Sequence, residues 1–174
     1  MGYVVTRRPT DDYRDCPQKF LKEIGMPVLF RTISEAEFVQ IPNKIFSDPT
    51  YDRRFGRVDS DGVTYALGWR SHLLEPVVLD LGDGVFFVGV DQDAAIVESG
   101  TGRVLIRLNL SEFFVKAVRV GNKLILATEL AVYELIGPVW GVNKRHDLPD
   151  TFEEFEFSSE SVGVICMDGS KLKL

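Results

Sequence analysis

Cysteine is scarce in this chain: Cys16 and Cys166 stand 150 residues apart, and there is no CxxC pair. Two such residues make neither a disulfide framework nor a zinc site, so two reduced thiols in a cytoplasmic protein are expected. Histidine is limited to His72, beside Leu73-Leu74, and His146, in the polar connection Lys144-Arg145-His146-Asp147. There is no Gly-x-Ser-x-Gly elbow, and each reads as a surface or satisfied core residue. Phosphate cradles are missing too, since no Gly-x-x-x-x-Gly-Lys run or strand-following Gly-x-Gly-x-x-Gly occurs. There is no uninterrupted apolar run of ~18 residues, and Met1 to Arg8 lacks the apolar core of a leader, so no membrane association is expected.

Calcium ligands are also lacking. Counting an EF-hand loop from Asp59 puts Val63 at the fifth position and Arg70 at the twelfth. Counting from Asp80 puts Gly82 and Gly84 at the third and fifth. Neither a metal nor a cofactor is expected, and no catalytic residue stands out. Asp91 and Asp93 are the best pair for general acid–base work, and they read more simply as turn residues.

What the chain does have is aromatic mass and strand-forming sequence. Twelve Phe, five Tyr and two Trp in 174 residues supply a core that needs no disulfide or metal staple. Residues 1–78 carry 11 Lys/Arg and 11 Asp/Glu, so the whole net charge of −6 lies in residues 79–174. An acidic second half argues against nucleic acid as its partner and suits a basic protein.

Residues 1–75 read as an irregular N-terminal region with short helices, packed on the rest in one structural domain. Pro17 to Ile24 has helical spacing, with Gly25 to end it. Val28-Leu29-Phe30 suits a short strand. Ser34-Glu35-Ala36-Glu37 has capping-box spacing for a helix that must stop before Pro42. Residues 43 to 60, with Pro49 and Gly56, read as a long surface loop. From Gly62 the pattern turns to β, and from Pro76 short strands and turns alternate to the end. The fold class is mainly β: antiparallel sheets in an open stack or a sandwich.

Sliding the sequence on itself by 38 residues sets Leu110 on Leu148, Phe114 on Phe152, Ala117 on Phe155, Leu124 on Val162 and Leu126 on Val164. A shift of 35 sets Gly102-Arg103-Val104 on Gly137-Pro138-Val139. Thr101-Gly102-Arg103-Val104 and Gly137-Pro138-Val139-Trp140 resemble the turn and Trp-bearing strand of β-propeller blades of the WD-repeat and quinoprotein types. The resemblance covers roughly residues 76–174. It implies a propeller-like stack that serves as a binding platform. Two complete units and a fragment cannot close a ring of four or more blades.

The most distinctive local feature is an acidic stretch holding Asp147, Asp150, Glu153, Glu154, Glu156 and Glu160 with no base between them. Phe155 and Phe157 are expected on one face of its strand, and Glu154 and Glu156 on the other. As a docking face these acids would receive a basic protein; as plain structure they are the solvated side of a half-buried strand. Absent catalysis and one-sided charge together suggest a non-enzymatic interaction protein of bacterial type, comparable to immunity proteins. The alternative is a small-ligand sensor whose pocket, between the N-terminal region and the sheets, is lined by Tyr51, Phe55, Trp69 and Trp140.

Overall fold

A computed structural model describes residues 28–158 and 161–174. The helix expected at Pro17 to Ile24, Cys16 and Glu160 lie outside the described residues. Within them the chain is mainly β. The strands are β1 (Leu29–Ile33), β2 (Asn43–Phe46), β3 (Arg54–Ser60), β4 (Val63–Trp69), β5 (Val77–Gly82), β6 (Val85–Val90), β7 (Asp93–Glu98) and β8 (Val104–Asn109). They continue as β9 (Phe114–Val120), β10 (Lys123–Thr128), β11 (Ala131–Ile136), β12 (Gly141–Asp147), β13 (Phe152–Phe157), β14 (Val162–Cys166) and β15 (Lys171–Lys173). The helix α1 (Glu35–Gln40) has the expected capping box: Ser34 Oγ accepts from the Glu37 N–H, and Glu37 accepts from the Ser34 N–H.

The strands form four sheets. The first has the order β1-β3-β4-β2, with β2 parallel to β4. The second (β5 to β8), third (β9 to β12) and fourth (β13 to β15) are antiparallel meanders in chain order. They stack face to face around three apolar layers. Phe86, Val88, Val90, Ala95 and Val97 of the second sheet meet Val58, Tyr65, Leu67 and Trp69 of the first. Phe87, Ala94 and Ile96 point the other way and meet Phe114, Leu124, Leu126 and Leu135 of the third. Ile125, Ala127 and Val132 then meet Phe155, Val162 and Val164 of the fourth.

This is why β6 and β10 read as unbroken apolar runs: alternate residues fill different layers, and both faces are covered. Each fully buried Phe or Leu contributes about 2 kcal/mol through its removal from water.

The two ends of the stack are finished differently. On the outer face of the first sheet, Phe38 and Ile41 at α1 cover Ile33, Phe55 and Ala66. Lys44 Nζ donates to the carbonyls of Phe38 and Ile41, satisfying the last turn of that helix. On the fourth sheet, the row Glu154–Ile165–Lys171 and the row Glu156–Gly163–Lys173 face outward, with Lys171 Nζ 2.7 Å from Glu156 Oε1.

Three sequence expectations need correction. Residues 43 to 60 hold β2 and β3, not one long loop. Lys144 to Asp147 belongs to an edge strand, β12, where charge blunts the unpaired edge. The 35-residue shift is superseded: Gly102 (φ 74°) corresponds to Trp140 (φ 56°), so 38 holds throughout. Gly102 N–H donates to Glu98 O and Trp140 N–H to Ile136 O, both at the same point of the turn.

Candidate functional site

From the second sheet onward, the connections at one end of the stack are tied to their neighbours by the same backbone bonds, repeated at a spacing of 38 residues. Leu110 N–H donates to Gln92 O and Leu148 N–H to Leu130 O. Phe114 N–H donates to Asp91 O and Phe152 N–H to Glu129 O. Glu129 N–H donates to Phe113 O and Met167 N–H to Thr151 O. The result is a continuous row of loops: 47–53, 70–76, 91–92, 110–113, 129–130, 148–151 and 167–170. Asp48, Asp52, Glu75, Asp91, Glu112, Glu129, Asp150 and Asp168 lie in them, against Arg53 and Arg70.

Large apolar side chains protrude from the same row. Leu73 is 93% exposed and Met167 69%, with Leu130 and Phe113 each close to half exposed. Leu73 is presented by an ordered loop. Ser71 Oγ accepts from both the Leu73 and Leu74 N–H at 3.0 Å, and Trp69 Nε1–H donates to Leu74 O at 3.1 Å. Asp91, 3% exposed in the β6–β7 turn, accepts from the Arg70 N–H at 2.6 Å and the Ser71 N–H at 3.3 Å. Its carboxylate therefore fixes this loop to the second sheet.

Where the first and second sheets meet this end, a cleft of about 300 Å³ opens among Tyr51, Asp52, Trp69, Arg70, Asp91, Asp93 and Arg107. Burial pushes the Asp52 and Asp93 carboxyls above the usual range, opposed at Asp52 by its bond from the Asp48 N–H and at Asp93 by the charges of Arg107 and Arg70, with smaller upward contributions from neighbouring aspartates. Asp52 Oδ2 accepts from the Asp48 N–H at 2.8 Å and lies against Gly68, where a Cβ would stand 2.1 Å from it. Arg70 Nη2 donates to Gln92 Oε1 at 3.2 Å, its guanidinium 5.9 Å from the Tyr51 ring centre. Arg107 donates to Ile45 O and lies over Phe46.

The sequence-derived candidates separate. Tyr51 and Trp69 line the cleft. Phe55 packs on Phe38 beneath α1, with ring centres 4.7 Å apart, and Trp140 is core between the second and third sheets. Asp147 and Asp150 lie at the loop end, Asp147 paired with Arg145 at 3.0 Å. Glu153, Glu154 and Glu156 are exposed on β13, Glu153 close behind the 148–151 loop and the other two farther along the strand. Phe155 is buried as expected, while Phe157, on the same side, is 60% exposed. His146 Nε2 is 2.7 Å from Glu134 Oε1, a bonded and part-buried residue of the edge strand, and His72 is exposed in the loop row. The sequence reading missed Asp48, Asp52, Arg107 and the four apolar tips. The 38-residue period was the available signal for the later tips, because it sets 92 on 130, 129 on 167 and 113 on 151, all in connections at one end.

No family model and no curated protein matches the sequence. Among solved structures, the chain is similar to the computationally designed Ika4 protein, at 13% identity with a TM-score of 0.51, covering 69% of this chain and 78% of that one. It is also matched to Hsv2 of Kluyvelomyces marxianus, at 10% identity with a TM-score of 0.43, covering 64% of this chain and 38% of that one. The first likeness is one of fold. No helix among the described residues is long and apolar enough to cross a membrane.

Proposed function

We propose that this chain is a protein-interaction module of the immunity-protein kind, built from propeller-like blades, and that its loop end binds a basic partner. The supporting observation is the pairing of protruding Leu73, Phe113, Leu130 and Met167 with eight loop acids on one end of the stack, set against Arg53, Arg70 and the two arginines, Arg54 and Arg145, that pair with Glu75 and Glu112. Apolar tips give a contact its buried centre, and the acidic surround steers a basic protein towards it. Asp147 and Asp150 belong to this face; Glu153, Glu154 and Glu156 serve as the solvated outer side of the fourth sheet.

The test is affinity capture from native lysate with the wild-type chain and with Leu73→Ser/Met167→Ser. A stoichiometric basic protein held by the wild type and lost from the variant is expected, with unchanged thermal unfolding because neither side chain is packed. Equal capture by both proteins, or capture of no stoichiometric partner, overturns the reading.

A further inference from the structure

We propose that the cleft between the first and second sheets receives a guanidinium group, supplied by an arginine side chain of the docking partner. The arginine's source rests on the interaction reading above; the guanidinium chemistry rests on the cleft itself. Among the described residues no group donates a hydrogen bond to the half-buried carboxylate of Asp93. Its nearest cations are committed elsewhere, Arg107 to Ile45 O and Arg70 to Gln92 Oε1. Asp91, by contrast, is satisfied by backbone N–H groups. The cleft therefore holds a half-buried carboxylate, Asp93, that receives no donor from the described residues, beside a second carboxylate, Asp52, which bonds one backbone N–H.

Three further observations select the ligand. A volume of about 300 Å³ suits one side chain and is at the small limit of ligand pockets. Counting its lining groups, Asp48, Asp52, Asp91 and Asp93 outnumber Arg70 and Arg107, so the space favours a cation. Its walls include the exposed ring of Tyr51, near which the chain already holds its own Arg70 guanidinium at 5.9 Å from the ring centre, while Trp69 lies buried behind with Arg54 at 5.2 Å. A planar fork with several donors can stack on such walls and bridge two carboxylates, which a lysine ammonium does less well.

The probe is N-acetyl-arginine methylamide, titrated into the full chain by calorimetry and by the Trp69 indole resonance. A Kd on the order of 1 mM is expected. It should weaken about tenfold or more in Asp93→Asn and again in Asp52→Asn/Asp93→Asn, as the loss of a charge-assisted bond requires. The citrulline counterpart, equal in shape and uncharged, should not bind. No binding at about ten times that concentration, or equal binding by the variants or by the citrulline compound, overturns the proposal. A second arm separates the sources. Weaker capture of the basic partner by Asp93→Asn supports an arginine anchor, whereas unchanged capture with loss of the free probe overturns it and leaves a small-molecule guanidinium site. Loss of partner capture in Leu73→Ser/Met167→Ser, with free-probe binding retained, tests the docking face without touching the cleft.

Discussion

Glu134 is buried in the third sheet with its Oε1 2.7 Å from His146 Nε2, and its Oε2 accepts from Lys123 Nζ at 3.0 Å. Burial alone would raise this carboxyl; the bonds to His146 and Lys123 outweigh it and hold the group below the ordinary glutamate range. A lowered folded value means that the stabilisation is complete above the unfolded value of about 4.3 and is lost as pH falls through the folded one. Urea unfolding of the wild type should therefore weaken below about pH 4. Glu134→Gln should cost roughly 2–4 kcal/mol at pH 7 and flatten that acid limb. An equally steep acid limb in the variant would remove Glu134 as its origin.

Asp93 titrates in the opposite sense. Because burial raises its carboxyl, the charged form costs stability at neutral pH, and protonation relieves that cost as pH falls through the folded value. Asp93→Asn should raise the Tm at pH 7, and that gain should shrink as pH falls through the folded value. A lower Tm at pH 7 would mean that this carboxylate is held by a bond within the fold. The expected outcome is a residue kept at the expense of stability, as binding residues often are.

Gly68 sets the position of Asp52. An added Cβ would stand 2.1 Å from Asp52 Oδ2 and 3.1 Å from its Cβ, so the whole side chain must move out of the cleft. Gly68→Ala should lose about 1–2 kcal/mol in urea unfolding, because the displaced group can turn towards solvent. Binding of the arginine probe should fall at least as far as in Asp52→Asn. Unaltered binding would show that Asp52 does not contribute to the cleft's affinity.

Phe86 and Phe87 are consecutive, each 1% exposed or less, and occupy different layers. Truncation of either to Ala should cost about 3–5 kcal/mol. The damage should be directional. Hydrogen exchange should speed up mainly in β3 and β4 for Phe86→Ala, and mainly in β9 and β10 for Phe87→Ala. Identical exchange maps would indicate one undivided core.

Much of this architecture could be read from the amino-acid order, and the exceptions share a cause. From Pro76 onward the apolar residues are so dense that strands, turns and the 38-residue period are visible together. In β3 the buried positions are Gly56, Val58 and Ser60, while Phe55, Arg57 and Asp59 take the other face. Two of the three core-facing residues are thus small or polar, and the alternation that marks a strand disappears. Gly56 is small because the Phe30 and Trp69 rings crowd it: a Cβ there would meet Phe30 at 2.4 Å. β12 failed to register for a different reason, since all but one of its residues are exposed and nothing in it alternates.

The candidate site was harder to foresee. Tyr51 and Trp69 could be chosen as aromatic residues, but their separation from Phe55 and Trp140 depends on which face of which sheet each occupies. Asp52 and Asp93 are 41 positions apart and adjoin the same cleft only because the first two sheets pack together. The shielding that alters their acidity is a property of that junction, which a list of residues does not contain.

The stack has a preferred place for growth. A duplicated 38-residue cassette spliced between the second and third sheets would find oily neighbours on both sides, since both flanking sheets already present hydrocarbon to each other. The same cassette set against the outside of the fourth sheet would have to dehydrate Glu154, Glu156, Lys171 and Lys173 with nothing offered in exchange. Lengthening by internal copying is therefore the cheap route for this architecture, and an added copy would also bring its own connection, extending the row of loops by one further tip.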